Sequence, residues 1–191
     1  LNYAVGESHE PGSTFKLMAL AVALEDQKID TTTIVDTKNG VLSFYGKKVR
    51  DSKKGGYGKI SVAEAFEVSS NTGIVSAIDF AYKNNPSQFV DGLYKMNLKD
   101  SLGLPLVGEG KAVIPDPRIK NGRWSGIALQ WMAYGYGVSF TPLQTLTFYN
   151  AIANNGTMVK PQFVQEIKTI DNTIEVFETE VINPQICSME T

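Results

Sequence analysis

The sequence predicts an α+β fold that is mainly helical, and three features carry this prediction. The first is an apolar segment, Leu17–Leu24, which contains good helix formers and almost no polar residue. A helix that is apolar on nearly every side is a buried helix. The second feature is a pair of capping boxes at Ser61 and Thr141, which mark the starts of two further helices. The third is the alternation of apolar and polar residues within 159–182, which is typical of strands.

Composition excludes several classes of function. The 191 residues are enough for one domain with a real core. The chain has 18 basic and 20 acidic residues, so it has no excess of positive charge that would support nucleic-acid binding. One cysteine, Cys187, permits no intramolecular disulfide, and with a single histidine, His9, a His/Cys metal cluster is not expected. No cofactor is expected.

The first part of the chain is predicted to hold the buried helix and then a hairpin. We expect the helix to run from Pro11 to Glu25 or Asp26, because proline is favoured in a first helical turn. β-branched residues predict a strand over 31–37. Asn39-Gly40 is a strong hairpin-turn signal. The return strands are expected at 41–45 and 47–50, interrupted by Gly46.

The middle and end of the chain are predicted to be helices separated by one long loop. The helices are expected from Ser61 through Val68, from Thr72 to about Tyr82, from Pro86 onward, and from Thr141 to the stop signal Asn154-Asn155-Gly156. Residues 98–122 carry many Gly and Pro residues and little periodicity, which predicts a functional loop or lid.

Ser13 and Lys16 stand three residues apart where the apolar helix begins. Residues at positions i and i+3 lie on the same helical face, close enough to interact. A lysine amine that is partly removed from water has a lowered pKa and can accept the proton of a neighbouring hydroxyl. The helix N-terminus also favours negative charge on the Ser13 oxygen. The pair predicts an activated serine nucleophile, although S-x-x-K alone is an unspecific pattern.

Three stretches, taken together and in order, resemble the class B penicillin-binding proteins. Glu10–Lys16, with the letters E-P-G-S-T-F-K, is similar to the first active-site motif of that family. Ser69-Ser70-Asn71 lies between two predicted helices and is similar to the second motif, S-x-N. The letters Y-G-Y-G at 134–137, followed by T-P-L-Q at 141–144 and A-I-A-N-N-G at 151–156, are similar to a third landmark.

The resemblance implies a D,D-transpeptidase that cross-links peptidoglycan, and residues 123–144 look most like the septal, cell-division type. By the match of motifs, Ser13 is the nucleophile that accepts the acyl group and Lys16 is its general base. Ser69 shuttles the proton to the leaving group or stabilises Lys16, and Asn71 hydrogen-bonds the substrate and Lys16. The implied substrate is the D-Ala-D-Ala end of a peptidoglycan stem peptide. A β-lactam would acylate Ser13, and divisome proteins are further implied partners.

One motif of the family, K-[ST]-G on a strand that closes the site, has no match in this sequence. Lys38-Asn39-Gly40 comes too early in the chain, and Lys168-Thr169-Ile170 lacks the glycine. We therefore interpret residues 1–191 as a partial transpeptidase domain. It is expected to be the helical half of the penicillin-binding-protein/serine β-lactamase-like transpeptidase fold. It has a small hairpin and short C-terminal strands, with most of the central antiparallel sheet missing. By itself it is expected to fold but to be inactive.

The chain starts at Leu1 and contains neither a signal peptide nor an apolar run long enough to span a bilayer. We expect it to be a segment of a longer parent protein. By the resemblance, the parent acts on the periplasmic side of the bacterial inner membrane and is anchored by an N-terminal segment outside this sequence.

Two other functions stay open at this point. A serine β-lactamase of class D shares S-x-x-K and a Ser-containing second motif, although E-P-G-S-T-F-K and T-P-L-Q argue against it. A β-lactam sensor or a divisome-binding scaffold would be non-enzymatic. Deacylation separates a β-lactamase from a transpeptidase, because a β-lactamase turns over whereas a transpeptidase stays acylated. A sensor should be acylated but show no cross-linking activity.

Three expectations concern the folded chain directly. Ser13 and Lys16 should come within hydrogen-bonding reach at the start of the apolar helix. Ser69 and Asn71 should face the same cleft. The Leu17–Leu24 segment should pack in a single core against four apolar side chains: Phe66, Ile74, Ile78 and Leu146.

Overall fold

Helices make up most of the regular structure in the computed structural model, which describes residues 2–120 and 122–191. A short 3₁₀ turn over Gly12–Thr14 precedes the second helix. The α-helices of the described residues are α1 Tyr3–Gly6, α2 Phe15–Glu25, α3 Val62–Glu67, α4 Asn71–Tyr82, α5 Pro86–Lys95, α6 Ala128–Met132 and α7 Pro142–Ala153.

The strands are short and form two-stranded antiparallel pairs in the described part of the chain. They are β1 Ile34–Asp36, β2 Val41–Phe44, β3 Lys47–Arg50, β4 Lys59–Ser61, β5 Met158–Val159, β6 Glu166–Lys168, β7 Thr173–Val176 and β8 Val181–Asn183. β1 pairs with β4, β2 with β3, β5 with β8, and β6 with β7. The mainly helical α+β class expected from the sequence is confirmed.

Helix α2 lies at the centre of the hydrophobic core, as its uniformly apolar sequence predicts. It packs against α4 and α5. Ile74 and Ile78 of α4 are both fully buried in the same core, as expected. The Tyr82 hydroxyl at the end of α4 donates to Asp26 Oδ2 over 2.9 Å and so ties the two helices together at their far ends. Burial and this bond raise the pKa of Tyr82.

The expectation that Phe66 and Leu146 also belong to this core is wrong. Phe66 is 40% exposed and Leu146 is 62% exposed. Helix α3 turns Val62 and Ala65 inward, and α7 turns Phe148 inward. Because only one face of each helix meets the core, apolar residues on the opposite face remain at the surface.

The hairpin turn is at Tyr45-Gly46, and the prediction of a turn at Asn39-Gly40 joining strand 31–37 to strand 41–45 is wrong. β2 pairs with β3 across Tyr45-Gly46, whose φ angles of 48° and 76° are both positive, as a type I′ turn requires. β1 instead pairs with β4, which the sequence did not indicate. Local turn chemistry therefore marked a bend at Gly40 without showing which strands pair across it.

The predicted helix ends are largely confirmed. Both capping boxes form, since Ser61 and Glu64 exchange hydrogen bonds at α3, as Thr141 and Gln144 do at α7. The central helix ends at Glu25 as expected. Its start differs, because Gly12 at φ +57° and the 3₁₀ turn displace the first α-helical residue from Pro11 to Phe15.

The C-terminal strands form where alternation predicted them. β6 and β7 make a hairpin around Asp171-Asn172, and every residue of the two strands is exposed. Residues 98–120 and 122 form the expected irregular loop, with one isolated bridge between Val113 and Ser139. No helix within the described ranges is long and apolar enough to cross a membrane.

Candidate active site

Ser13 lies in the 3₁₀ turn directly before α2, and its side chain is exposed. The Thr14 hydroxyl donates to the Pro11 carbonyl oxygen over 2.8 Å, and the Tyr149 hydroxyl donates to the Thr14 carbonyl oxygen over 2.9 Å. These bonds hold the turn from both sides. The turn therefore presents Ser13 to solvent at the N-terminal end of a buried helix, where the helix dipole favours negative charge.

The glycine-punctuated segment 134–137 clamps the Ser13 turn. The Gly12 N–H donates to the Gly135 carbonyl oxygen over 3.0 Å, and the Gly137 N–H donates to Glu10 Oε1 over 2.8 Å. A Cβ on Gly135 would lie 1.9 Å from the Gly12 carbonyl oxygen, so the two backbones can approach this closely only because residue 135 is glycine. The first and third sequence landmarks are therefore parts of one structural unit.

Lys16 is the most deeply buried charged side chain of the described residues, with 1% of its surface exposed. Its Nζ donates to the Ser69 carbonyl oxygen over 2.7 Å and to Ser69 Oγ over 2.9 Å. Burial lowers the pKa of Lys16 from 10.5 to about 8, while the Asp51 carboxylate acts in the opposite direction. A measurable fraction of the amine is thus unprotonated near neutral pH.

Ser69 lies at the junction between α3 and α4, and its side chain contacts Lys16. Ser69 has φ +52°, a left-handed conformation that is uncommon for a residue with a Cβ. The chain is thereby turned so that both the carbonyl oxygen and the hydroxyl of Ser69 contact Lys16 Nζ. Ser70 follows as the N-cap of α4 and accepts from the Gly73 N–H. Backbone strain at Ser69 therefore coincides with the contact to the candidate base.

Asn71 is the first residue of α4 and is partly buried. Its Nδ2 donates to the Arg50 carbonyl oxygen at the end of β3 over 2.7 Å. Its amide nitrogen is therefore engaged by the protein backbone, which fixes the orientation of the side chain. The amide oxygen Oδ1 makes no hydrogen bond to the residues that the structure describes.

The four predicted site residues thus fall on two neighbouring segments, and Lys16 connects them. Hydrogen bonds join Lys16 to Ser69. Among residues 2–120 and 122–191, no hydrogen bond joins Ser13 to Lys16 or Asn71 to Lys16. These two contacts therefore stay predictions.

Sequence reasoning missed Asp51, which directly follows β3. Its carboxylate accepts hydrogen bonds from Ser70 and Thr72, on either side of Asn71. No local pattern marks Asp51, because it begins a polar, glycine-rich loop and meets residues 70–72 only in the folded chain.

The arrangement suits nucleophilic catalysis by its own residues. It combines an exposed hydroxyl at a helix N-terminus with a buried amine of lowered pKa and a second hydroxyl bound to that amine. An amine in this state can take a proton from a nearby hydroxyl and pass it on. In the described part of the chain, no group of three His, Cys, Asp or Glu residues could hold a metal ion.

The sequence matches one family model over nearly its whole length. Residues 1–189 match the penicillin binding protein transpeptidase domain. Among curated proteins, the chain is 29% identical over 192 residues to stage V sporulation protein D of Bacillus subtilis, covering 100% of this chain and 28% of that protein. It is 26% identical over 190 residues to peptidoglycan D,D-transpeptidase FtsI of Escherichia coli K12, covering 100% of this chain and 30% of that protein. The chain thus spans less than a third of these relatives.

Solved structures show the same fold. Penicillin binding protein 3 of Mycobacterium tuberculosis, solved in complex with aztreonam, superposes with a TM-score of 0.79 at 26% identity, covering 99% of this chain and 40% of that one. Penicillin-binding protein A of M. tuberculosis, solved as a ceftriaxone acyl-enzyme complex, gives a TM-score of 0.81 at 21% identity, covering 100% and 42%.

Proposed function

Because the chain belongs to the penicillin binding protein transpeptidase domain family, we propose that it is the nucleophile-bearing part of a septal-type peptidoglycan D,D-transpeptidase. The observation that carries this proposal is the state of Lys16. This lysine is almost completely buried, its pKa is lowered to about 8, and it is held by two hydrogen bonds to Ser69.

Lys16 is the general base in the proposed reaction. With a pKa of about 8, roughly a tenth of the amine is neutral at pH 7. A neutral amine has two N–H donors and one lone pair. The two bonds to Ser69 use both donors, so the lone pair remains to accept the Ser13 proton.

Ser13 is the proposed nucleophile. Its oxygen attacks the carbonyl of the penultimate D-Ala of a stem peptide while its proton passes to Lys16. An ester bond to Ser13 forms, the amide bond to the terminal D-Ala breaks, and the departing amine receives the proton by way of Lys16 and Ser69. An amine of a second stem peptide then attacks the ester, which forms the cross-link and returns the Ser13 hydroxyl.

Asn71 is proposed to bind substrate through its amide oxygen. Its Nδ2 is held by the Arg50 carbonyl oxygen, so the side chain is oriented before substrate arrives. An oriented acceptor suits a backbone N–H of the stem peptide. The proposed contact of Asn71 with Lys16 is not among the hydrogen bonds of residues 2–120 and 122–191.

We further propose that the remaining catalytic motif lies in a longer parent protein. The sequence contains no K-[ST]-G, and the sheets of the described residues have two strands each. Residues 1–191 are then the helical part of the domain, and the central sheet with its K-[ST]-G strand is outside them. In this family, one donor of the oxyanion hole is the backbone N–H of the nucleophile and the other comes from the K-[ST]-G strand. Loss of one such donor costs about a hundred- to a thousand-fold in rate. The 191-residue chain alone should therefore be acylated very slowly.

The proposed cellular location and partners are those expected for the same family. The parent acts on the periplasmic side of the bacterial inner membrane, is anchored by a segment outside this chain, and works with divisome proteins. β-Lactams acylate its Ser13. A serine β-lactamase or a β-lactam sensor is the competing function, and neither is favoured by relatives such as FtsI of Escherichia coli and PbpB of Mycolicibacterium smegmatis, which are named as a D,D-transpeptidase and a penicillin-binding protein.

A fluorescent penicillin tests the proposal on the parent protein. Intact-mass measurement should find one β-lactam adduct, peptide mapping should place it on Ser13, and Ser13→Ala should abolish it. The matched control is Ser101→Ala, because Ser101 is also an exposed serine but lies in the 98–122 loop. Labelling of the Ser13→Ala variant would refute the assignment of the nucleophile. Rapid loss of the adduct with release of hydrolysed drug would make the protein a β-lactamase.

Cross-linking separates the enzyme from the sensor. The parent protein, supplied with purified glycan strands that carry pentapeptide stems, should form cross-linked products and release D-Ala. Stoichiometric Ser13 labelling without any cross-linking or D-Ala release would favour the sensor.

A further inference from the structure

Asp51, directly after β3, makes a dense set of hydrogen bonds to the turn that carries Ser69 and Asn71. The Thr72 N–H donates to Asp51 Oδ1 over 2.9 Å, and the Thr72 hydroxyl donates to Oδ2 over 2.6 Å. The Ser70 hydroxyl lies 3.1 Å from each carboxylate oxygen and donates to this group. Both partner residues are buried, with exposures of 1% for Ser70 and 0% for Thr72.

These bonds attach the start of α4 to the end of β3. The Asp51 N–H donates to the Gly40 carbonyl oxygen over 2.9 Å, so the residue itself is anchored in the hairpin region. Its neighbour Arg50 accepts from Asn71 Nδ2. A carboxylate at a helix N-terminus is also stabilised by the exposed N–H groups and the helix dipole. Asp51 therefore restrains residues 70–72 at several atoms at once.

Ser69 immediately precedes this restrained turn, and Lys16 binds Ser69 through both of its oxygen acceptors. A shift of residues 70–72 would move Ser69 and so change the two hydrogen bonds that Lys16 Nζ makes to Ser69. We propose that Asp51 is a positioning residue: by binding Ser70 and Thr72 it sets the place of Ser69 and, through Ser69, the hydrogen bonds of the Lys16 amine.

Asp51 also acts on Lys16 through its negative charge. Asp51 is the charged group that acts on Lys16, and it favours the protonated amine against the effect of burial. The surrounding elements carry further titratable groups, among them Arg50 on β3, Glu64 and Glu67 on α3, and Asp79 on α4. The causes of the Lys16 pKa shift are burial and, in the opposite direction, the Asp51 charge. Removal of the Asp51 charge should therefore lower the Lys16 pKa further.

The identification of Lys16 as the base rests on the proposed function, but the coupling of Asp51 to Lys16 does not. The test therefore measures the titration of the Lys16 amine directly. The 191-residue chain is labelled with ¹³C at lysine Cε, and the Lys16 signal is assigned by its loss in Lys16→Met and followed by NMR from pH 5 to pH 11.

Asp51→Asn keeps the shape of the side chain and removes its charge. The Lys16 signal should titrate near pH 8 in the unaltered chain and at lower pH in Asp51→Asn, because the charge that favours the protonated amine is removed. The matched control is Asp36→Asn, because the Asp36 carboxylate binds Lys38 at the surface and should not affect Lys16. An unchanged Lys16 titration in a folded Asp51→Asn variant would overturn the electrostatic role.

Thr72→Val tests the positional role while the charge is kept, and it also serves if Asp51→Asn fails to fold. It removes the 2.6 Å bond to Oδ2 and is nearly isosteric. Amide hydrogen exchange at Ser70, whose N–H donates to the Ala65 carbonyl oxygen, should accelerate at least several-fold. An unchanged exchange rate at Ser70 would overturn the positional role.

In the parent protein, the pH dependence of acylation by penicillin connects this role to activity. If Lys16 is the base, the rise in acylation rate with pH should move to lower pH in Asp51→Asn and stay in place in Asp36→Asn. A shift of the NMR titration without any shift of the acylation profile would support Asp51 as a positioning residue. It would count against Lys16 as the base, so the two proposals fail separately.

Discussion

The candidate site and the C-terminal hairpin are built in opposite ways. Lys16 and the turn after Ser69 are held by buried groups that come from distant parts of the chain, including β3 and the core around α2. The β6–β7 hairpin is held by its own strand pairing, and all residues of its two strands are exposed. Within the site, each functional side chain depends on residues far away in sequence.

This difference shows where the protein tolerates change. A two-stranded hairpin without a buried face contributes little to stability, because an isolated hairpin is marginal in water. The candidate site borders the closely packed core. A small displacement of its residues therefore forces neighbouring core atoms to move as well. We therefore expect substitutions near Ser13 and Lys16 to be costly and those in the hairpin to be nearly neutral.

Gly135→Ala should have the largest effect. The added Cβ would lie 1.9 Å from the Gly12 carbonyl oxygen, and φ +89° is itself unfavourable for alanine. We expect a loss of about 4 kcal/mol or more in the free energy of unfolding, because the Ser13 turn must move away. Urea unfolding followed by circular dichroism measures the loss.

Gly137→Ala is the matched control for this prediction. Gly137 also has a positive φ, +73°, but an added Cβ would have no neighbour within 4 Å. Its cost should be about 1–2 kcal/mol, from the left-handed backbone alone. Equal losses for the two variants would show that the contact between Gly135 and Gly12 does not matter.

Ile78→Ala and Ile174→Ala compare the core with the hairpin using one chemical change. Ile78 is fully buried in α4, whereas Ile174 in β7 is 66% exposed. We expect losses of about 3–4 kcal/mol for Ile78→Ala, from removed contacts and the cavity left behind, and about 0.5 kcal/mol or less for Ile174→Ala. Thermal and urea unfolding give both values. A loss above about 2 kcal/mol at Ile174 would mean that the hairpin face is packed in solution.

Lys16 makes the stability of the candidate site depend on pH. Its folded-state pKa of about 8 lies below the ordinary 10.5, so between these values the unfolded chain binds more protons than the folded one. The free energy of unfolding should therefore rise with pH across this window. The rise should be about 3 kcal/mol relative to Lys16→Met, which cannot titrate.

Urea unfolding of both proteins at pH 7, 8, 9, 10 and 11 measures this difference. The stability of the unaltered chain relative to Lys16→Met should be lowest below pH 8 and level off above pH 10.5. A flat difference would mean that Lys16 has an ordinary pKa in the folded chain, and the proposed base would lose its main support.

Ile170→Ser should have the smallest effect. Ile170 is fully exposed near the tip of the β6–β7 hairpin, with a relative exposure of 102%. Replacement by serine removes apolar surface from water contact without opening a cavity, so the free energy of unfolding should change by less than about 0.5 kcal/mol. Light scattering at high protein concentration should show equal or lower self-association than for the unaltered chain. Loss of folded protein would contradict this prediction.

The sequence alone determined the features that local chemistry encodes. Both capping boxes form as the letters predict, because each N-cap residue and its partner three positions later bond within one helical turn. The apolar segment 17–24 of α2 is largely buried because no face of this segment is suited to water. The order of the motifs was enough to identify the family, which the match over residues 1–189 shows.

Only the tertiary structure decided which segments meet. The strand at 34–36 pairs with β4 rather than with β2, since strand pairing depends on long-range packing that a turn signal does not contain. Phe66 and Leu146 are apolar yet lie on outward faces, because the core has room for one side of each helix. Asp51 carries no motif, and its carboxylate reaches Ser70 and Thr72 only once β3 lies beside α4. The lowered pKa of Lys16 has the same origin, because the desolvation that causes it exists only in the folded chain.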